Sequence, residues 1–301
     1  MQNAKWAGGN TVSTLVEPIS AARAGRSRPI WLSNLFWYVL LGIAALVTVM
    51  PFLWLLMTAL KGPTDAVFSL PPQFFPRDPT LANFVRVWEQ LAIWRFFLNS
   101  LFVATLTVAL NLLVSSLAAY PLAKMRFPGR ELIFYLLLAT LIVPAELTYI
   151  PGYILAVRVF NYYDTLWALI FPNIFSAFTI FLLRQAYKSV PNDLIDAARI
   201  DGASELRIWW GVLLPVIRPA LATAAVFSAV TSWNALLWPS LMLRNRDLYT
   251  LPVGLTALRG MFTADFRLIS AGAIMVILPI LLAFVFAQRY FVNGLGGAVK
   301  G

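Results

Sequence analysis

Six long apolar stretches dominate this sequence and limit what it can fold into. They run over Leu35–Leu60, Phe96–Leu122, Leu132–Val157, Thr165–Tyr187, Ala220–Leu243 and Leu268–Phe291. Each has about 20 residues or more, enough for an α-helix to cross roughly 30 Å of hydrocarbon. The stretches lack the alternating apolar and polar residues of membrane β-barrel strands. The sequence therefore predicts an all-α, polytopic membrane protein with six transmembrane helices.

The composition agrees with a surface that is largely covered by lipid. Of the 301 residues, 60% are hydrophobic and 12% are charged, whereas about a quarter of the residues of a soluble domain are charged. The chain has no cysteine and no histidine. This excludes disulfides, Cys or His metal sites, thiol nucleophiles and histidine bases. We therefore expect no catalytic residue, no metal site and no enzymatic activity.

The net charge of +10 has two interpretations, nucleic-acid binding and membrane orientation. The basic residues form short clusters between the apolar stretches, with no basic stripe that carries stacking aromatics. Basic clusters of this kind orient a chain in the bilayer. With a cytoplasmic N-terminus, 14 of the 23 Lys and Arg residues fall on the cytoplasmic side, and the turn from Lys124 to Arg130 is the clearest signal. The sequence predicts that both termini are cytoplasmic and that no nucleic acid binds.

These patterns divide the chain into segments. We expect a cytoplasmic N-terminal tail (1–34), a first span (35–60), an external loop (61–95), a five-helix core (96–292) and a cytoplasmic C-terminal tail (293–301). The external loop is rich in proline and predicts an ordered segment with a short helix near Leu81–Leu91. The core contains a cytoplasmic loop at residues 188–219, called the 188–219 loop below.

The 188–219 loop reads as two short helices separated by a glycine. Pro191 suits a first helical turn, where a missing N–H costs little. Gly202 stands where the first helix should end, and glycine adopts the left-handed conformation cheaply. Ser204 is placed to cap the second helix. Pro215 and Pro219 then turn the chain back towards the membrane.

Small and acidic residues give this loop two possible roles. Ala197 and Ala198 leave a flat patch that another surface can approach closely, and Asp196 and Asp201 place negative charge beside it. A docking element has these features, but so does an amphipathic connector that lies on the membrane surface. The residue types alone do not choose between the two roles.

The order and spacing of the residues add a resemblance to a known family. Asp196-Ala-Ala, Gly202, Val212 and Leu214-Pro215 are spaced as in the EAA loop of binding-protein-dependent ABC importer permeases. Asp196 replaces the usual Glu and Val212 the usual Ile, and both keep the chemical type. The resemblance implies that an ATPase subunit contacts a set of loop residues. They are Asp196, Ala197, Ala198, Asp201, Gly202, Val212, Leu214 and Pro215.

The resemblance extends over nearly the whole chain from about residue 35. Trp233-Asn234 with Trp238-Pro239, the segment Leu251-Pro252-Val-Gly254-Leu255 and the segment from Gln288 to Gly294 are similar to the carbohydrate-uptake branch, with its MalG- and UgpE-type subunits and MetI-like transmembrane domain. This branch implies a type I ABC importer permease architecture in a bacterial or archaeal cytoplasmic membrane. The implied cargo is a sugar, an oligosaccharide or glycerol phosphate.

The same resemblance implies several partners. They are a second homologous permease subunit, a dimer of nucleotide-binding ATPase subunits and an external solute-binding protein, all working at the lipid bilayer. The chain has no G-x-x-x-x-G-K-[ST] segment, which cradles nucleotide phosphates in ATPases. We therefore expect that this chain binds no cofactor itself and that ATP and Mg²⁺ bind to the partner ATPase.

Two groups of residues in the spans are candidates for the substrate pathway. Glu146 and Tyr149 lie in the third span, where a polar group faces either a water-filled cavity, a neighbouring helix or the wet outer interface. Trp233, Asn234 and Trp238 recur at helical spacing in the fifth span. Aromatic rings with an amide suit sugar recognition, but tryptophans also anchor helices at the interface.

Asp265 and Arg267 flank the start of the last span on the external side. We expect a solvated loop there, and contact with the external binding protein is the alternative. The alternative function for the whole chain is an ion-coupled secondary transporter of small polar solutes. Such transporters carry several intramembrane ionisable groups and internal repeats, of which this sequence shows one such group and no evident repeat.

Overall fold

The computed structural model describes residues 30–259 and 265–296, and all regular structure in these residues is helical. This confirms the predicted all-α class. Most of the two predicted tails, 1–34 and 293–301, lies outside the described residues. The helices are α1 (Ile30–Ala59), α2 (Ala82–Gln90), α3 (Ile93–Lys124), α4 (Arg130–Thr140), α5 (Ala145–Ile154), α6 (Trp167–Ile170), α7 (Ala177–Ser189), α8 (Asn192–Ile200), α9 (Glu205–Ile208), α10 (Leu214–Val216), α11 (Arg218–Trp233), α12 (Leu237–Met242), α13 (Leu251–Thr256) and α14 (Phe266–Gly296).

The chain separates into two units, one up to Pro51 and one from Phe52 onwards. The first unit contains most of α1, which has no charged residue between Asn34 and Ala59 and is long enough to cross a membrane. The second unit contains α2 to α14 and all the sites considered below. The short helix that the sequence predicts near Leu81–Leu91 is α2.

Three of the predicted spans are interrupted and are not single continuous helices. Within residues 30–259 and 265–296, only Asn34–Ala59 and Ile93–Lys124 are single helices long and apolar enough to cross a membrane. The third span bends by 96° between α4 and α5, and the fourth by 43° before α7. Pro144 lies at the first break, and Pro172 lies in the short helical turn just before the second. Each lacks the N–H that would continue the helical hydrogen bonds.

The predicted fifth span is also broken. Helix α11 ends at Trp233, and α12 begins at Leu237. At its other end, α11 meets the preceding helical segment at 83°, close to Pro219. The last span corresponds to α14, of which Phe266–Leu282 is a shorter apolar helix. By length and composition, the described helices allow up to five membrane crossings if each bent pair counts as one span. The number of six spans stays a prediction.

Helix α3 is the centre of the second unit, since it packs along both α7 and α11. An ion pair formed by a buried arginine adds to this packing. The guanidinium of Arg184 on α7 is 2% exposed and donates to both carboxylate oxygens of Glu131 on α4, at 2.7 and 2.8 Å. It also donates to the carbonyl of Leu122 at 2.9 Å and covers the ring of Phe134. One arginine thus joins α3, α4 and α7.

The segment between α1 and α2 is fastened by polar groups. The Asn83 amide donates to the carbonyls of Ala59 and Lys61, at 2.8 and 2.9 Å. Arg267 donates to the carbonyl of Gly62 at 2.8 Å and pairs with Asp265 at 3.0 Å. This corrects the expectation of a solvated loop at Asp265 and Arg267, because both side chains are half-buried and brace the segment after α1.

Candidate functional site

The first helix of the 188–219 loop ends as the sequence predicts. Gly202 has a φ of +78°, a left-handed conformation that glycine adopts without a Cβ clash. Its N–H donates to the carbonyl of Arg199 at 3.0 Å, and the N–H of Ala203 donates to the carbonyl of Ala198 at 2.9 Å. These two bonds form the Schellman motif. The turn between α8 and α9 is therefore fixed by the backbone itself.

Helix α8 has one side against the protein and one side exposed. Ile195 is 2% exposed and belongs to the hydrophobic core beneath the loop, against which Ala198 also packs. Asp196, Ala197 and Asp201 are exposed. Of the small and acidic residues predicted to dock a partner, Asp196, Ala197 and Asp201 thus lie on the accessible side, whereas Ala198 packs against the core.

A charged bridge spans the turn. Arg199 donates through Nε to Glu205 Oε1 at 2.9 Å and through Nη1 to Asp196 Oδ1 at 3.3 Å. The hydroxyl of Tyr120, near the end of α3, also donates to Glu205. The hydrogen bonds from Arg199 and Tyr120 hold the pKa of Glu205 below its ordinary value. The bridge therefore links α8 to α9 and, through Tyr120, to α3.

The second helix of the loop differs from the prediction in two ways. Ser204 precedes α9, but its side chain makes no capping hydrogen bond. After α9 the chain continues as a π-helix over Trp209–Leu213 and then as α10. Pro215 lies within α10, and its missing N–H is compatible with the irregular hydrogen bonding of this stretch.

The remaining predicted coupling residues lie differently from those of α8. Val212 and Leu214 are half-buried and pack against the core beneath the loop, while Pro215 is exposed. Trp209 is 5% exposed and donates through Nε1 to Ser116 Oγ at 2.9 Å and to Tyr187 Oη at 3.1 Å. These residues anchor the loop to α3 and α7, and α8 presents the accessible surface.

A large cleft lies among the helices on the other side of the core. Its volume is about 1180 Å³. It is lined by α3, α5, α7, α11 and α12 together with the segments that join them. The lining residues are Val103, Thr107, Asn111, Ala145, Thr148, Tyr149, Gly152, Leu155, Phe160, Tyr162, Leu169, Phe171, Pro172, Asn173, Ser176, Phe178, Thr179, Phe227, Ser228, Thr231, Ser232, Ala235, Trp238, Pro239 and Thr250.

Three lining residues have buried polar atoms that lack a partner. The oxygens Thr107 Oγ1, Asn111 Oδ1 and Thr250 Oγ1 accept and donate no hydrogen bond within the described chain, although these residues are only 1–5% exposed. Leaving such a group unsatisfied costs about 1–3 kcal/mol. The amide nitrogen of Asn111 is satisfied, since it donates to the carbonyl of Asn173 at 3.1 Å.

The structure brings two of the five predicted pathway residues to this cleft. Tyr149 and Trp238 line it, with ring centroids 5.9 Å apart. Trp233 is 8% exposed and donates to the carbonyl of Val276 at 3.2 Å, which is a packing role. Asn234 and Glu146 are exposed and do not line the cleft.

Sequence reasoning missed the contribution of α3 to the cleft. Thr107 and Asn111 lie four residues apart in a largely apolar span, and Ser115 continues the same row. Residues at this spacing share one face of a helix. Polar residues on one face of a span mark a side that does not meet lipid, and this signal could have located the wall.

Comparison with known proteins agrees with this architecture. Residues 111–295 match the family of binding-protein-dependent transport system inner membrane components. The arabinooligosaccharides transport system permease protein AraQ of Halalkalibacterium halodurans is 36% identical over 272 residues, which cover 89% of this chain and 97% of that protein. The lactose transport system permease protein LacG of Rhizobium radiobacter is 33% identical with the same coverage.

A solved structure has the same fold. It is the crystal structure of a bacterial ABC transporter involved in the import of the acidic polysaccharide alginate. One of its chains superposes with a TM-score of 0.75 at 26% identity, over 88% of this chain and 98% of that chain. Family, relatives and fold agree, and this multi-pass membrane protein belongs to the binding-protein-dependent permeases of ABC importers.

Proposed function

We propose that this chain forms one half of the translocation pathway for a sugar or oligosaccharide and that its 188–219 loop docks a separate ATPase. The observation that carries the proposal is the exposed side of α8, where Asp196, Ala197 and Asp201 lie beside the rigid turn at Gly202. The loop is held from within by Ile195 and Trp209. A displacement of α8 by the ATPase is therefore transmitted to α3 and α7.

The other parts of the system belong to partners. A second homologous permease subunit completes the pathway, an ATPase dimer binds ATP and Mg²⁺, and an external binding protein delivers the cargo. The chain itself transports and does not catalyse. With the loop in the cytoplasm, as the positive residues around Lys124 and Arg130 predict, both termini are cytoplasmic and the α1–α2 segment is external.

The carbohydrate assignment rests on the relatives. AraQ and LacG are permease proteins of transport systems for arabinooligosaccharides and lactose, and the solved relative is involved in the import of alginate. The cleft suits such cargo because it combines aromatic rings with hydroxyl and amide groups. No observation favours an ion-coupled secondary transporter, since no residue that lines the cleft in the described chain is an Asp, Glu, Lys or Arg.

The test is a charge reversal on α8. In proteoliposomes that contain the complete transporter, we expect Asp196→Lys to abolish ATP-driven sugar uptake and to reduce co-purification of the ATPase, while the protein remains inserted. Glu89→Lys is the matched control, because Glu89 is an exposed residue of α2 and undergoes the same change of charge. Co-purification and uptake at wild-type levels in the Asp196 variant would refute the docking role.

A further inference from the structure

We infer that the cleft takes a neutral sugar and rejects anionic ones, with Tyr149 and Trp238 as the aromatic wall on which the sugar packs. This inference rests on the proposed function and specifies its substrate class. The relatives do not decide the question, because lactose is neutral and alginate is acidic.

The first argument is the charge of the wall. None of its lining residues in the described chain is an Arg or a Lys. A carboxylate, phosphate or sulfonate that leaves water needs a cationic partner or several strong donors, because burial of an unpaired charge is very costly. The nearby Arg158 lies on the segment that follows α5, but it is exposed and outside the lining. This wall therefore offers an anion no cationic partner.

The second argument is the rigidity of the aromatic pair. The Trp238 indole donates through Nε1 to the carbonyl of Ala168 at 2.9 Å. Its ring lies against Gly152, where a Cβ would come within 3.3 Å of the indole. Tyr149 lies one turn earlier on α5 and contacts the same indole, with an angle of 40° between the two rings. The pair is thus held in place, and the C–H faces of a sugar can pack on such rings.

The third argument is the kind of polar group that surrounds the rings. Thr148, Ser228, Thr231 and Ser232 contribute hydroxyl groups, and Asn173 contributes an amide. Hydroxyls donate and accept equally well, as the hydroxyls of a sugar do. This inventory complements a polyol.

The fourth argument is size. Pockets for drug-sized ligands have volumes of roughly 300–1,000 Å³, and this cleft has about 1180 Å³ before a partner subunit contributes its side. The space exceeds what one monosaccharide needs. A disaccharide or a longer oligosaccharide is the appropriate occupant.

The test compares neutral sugars with their acidic counterparts. The complete transporter in proteoliposomes is supplied with lactose, raffinose, arabinotriose and galactotriose, and separately with trigalacturonate and glycerol 3-phosphate. Galactotriose and trigalacturonate form a matched pair that differs in the oxidation state of C6. We expect uptake of at least one neutral sugar and uptake of both anions at less than a tenth of that rate. Anion uptake at an equal or higher rate would overturn the inference and leave ATP-driven transport intact.

A second arm locates the binding to this chain rather than to the external binding protein. Equilibrium dialysis with the transported radiolabelled sugar is carried out on the complex of permeases and ATPase without the binding protein. We expect Tyr149→Ala to weaken binding by about tenfold. Tyr153→Ala is the control, because Tyr153 is one turn further along α5, makes an edge-to-face contact with Tyr163 and does not line the cleft.

The possible results separate the two proposals. Equal binding by the Tyr149 and Tyr153 variants would overturn the assignment of the sugar to this cleft. The comparison of neutral and anionic sugars uses the unmodified protein, so it decides the charge question even if a variant fails to fold. Absence of uptake for every probe, with ATP present and the vesicles sealed, would count against the proposed function itself.

Discussion

The guanidinium of Arg199 and the carboxylate of Glu205 meet at 2.9 Å across the turn at Gly202. They tie the exposed helix α8 to α9, and Tyr120 ties Glu205 to the end of α3. Helix α8 is therefore coupled to the transmembrane helices by a charged contact as well as by the hydrophobic core beneath the loop.

This contact predicts a dependence on pH. Because the pKa of Glu205 is lowered in the folded loop, the ionised carboxylate stabilises the folded loop, and this stabilisation is fully present above the ordinary carboxyl pKa of about 4.3. It is lost as the pH falls through the lower, folded pKa. We expect ATPase association to be unchanged between pH 7 and 5 and to weaken below about pH 4. A pull-down of the ATPase with the permease at pH values across this range measures the association.

The control for the pH experiment is Glu205→Gln, which cannot ionise. We expect the variant to associate more weakly at neutral pH and to lose the part of the acid response that is due to Glu205. The pair is about 40% exposed on each side, so the effect on overall stability should be small. A wild-type acid response in the variant would show that other groups cause it.

The turn at Gly202 predicts a backbone effect. A Cβ there would contact nothing within 4 Å, so Gly202→Ala should destabilise the protein through the left-handed φ alone, by about 1 kcal/mol. Gly202→Asn should cost less, because asparagine tolerates this conformation.

The matched control is Gly211→Ala, which also has open space around the new Cβ and no positive φ. Thermal unfolding of the purified complex in detergent compares the three variants. Equal melting temperatures for the Gly202→Ala and Gly211→Ala variants would contradict the strain argument.

The two neighbouring tryptophans of the loop should differ in their contribution to stability. Trp209→Phe removes the donor to Ser116 and Tyr187, which can still bond each other at 2.7 Å. We expect a loss of about 0.5–1.5 kcal/mol in stability. Trp210→Phe should have no effect, because Trp210 is 68% exposed. Thermal unfolding of both variants measures this difference. An equal loss of stability in the two would refute the anchoring role of Trp209.

Gly254 predicts a steric effect in the segment that resembles the carbohydrate branch. A Cβ at Gly254 would come within 2.2 Å of the Phe96 ring, so Gly254→Ala should cost about 1–3 kcal/mol through overpacking. Gly42→Ala is the control, since Gly42 has open space on a helix and alanine favours helices. The melting temperature of each variant measures the difference. A Gly254 variant as stable as the Gly42 variant would show that Phe96 moves aside freely.

The sequence by itself determined the elements whose causes are local. Apolar stretches must leave water, so the helical membrane class could be read from them directly. The loop is similarly local, because the left-handed turn at Gly202 and the exposed acids of α8 depend on a few adjacent residues. The sequence alone could not show that Ser204 makes no capping hydrogen bond or that Glu205 bonds Arg199 and Tyr120.

Only the tertiary structure decided where the cleft lies and which residues form it. Its wall joins Thr107 of α3, Tyr149 of α5 and Trp238 of α12, which are far apart in the chain. Prolines at the breaks, such as Pro144, are visible in the sequence, but the angles that they produce depend on how the two halves pack. The different positions of the two tryptophans of the fifth span illustrate this dependence on packing. The break after Trp233 sends that residue into the core and Trp238 to the cleft, a distinction that depends on packing between distant helices and not on local spacing.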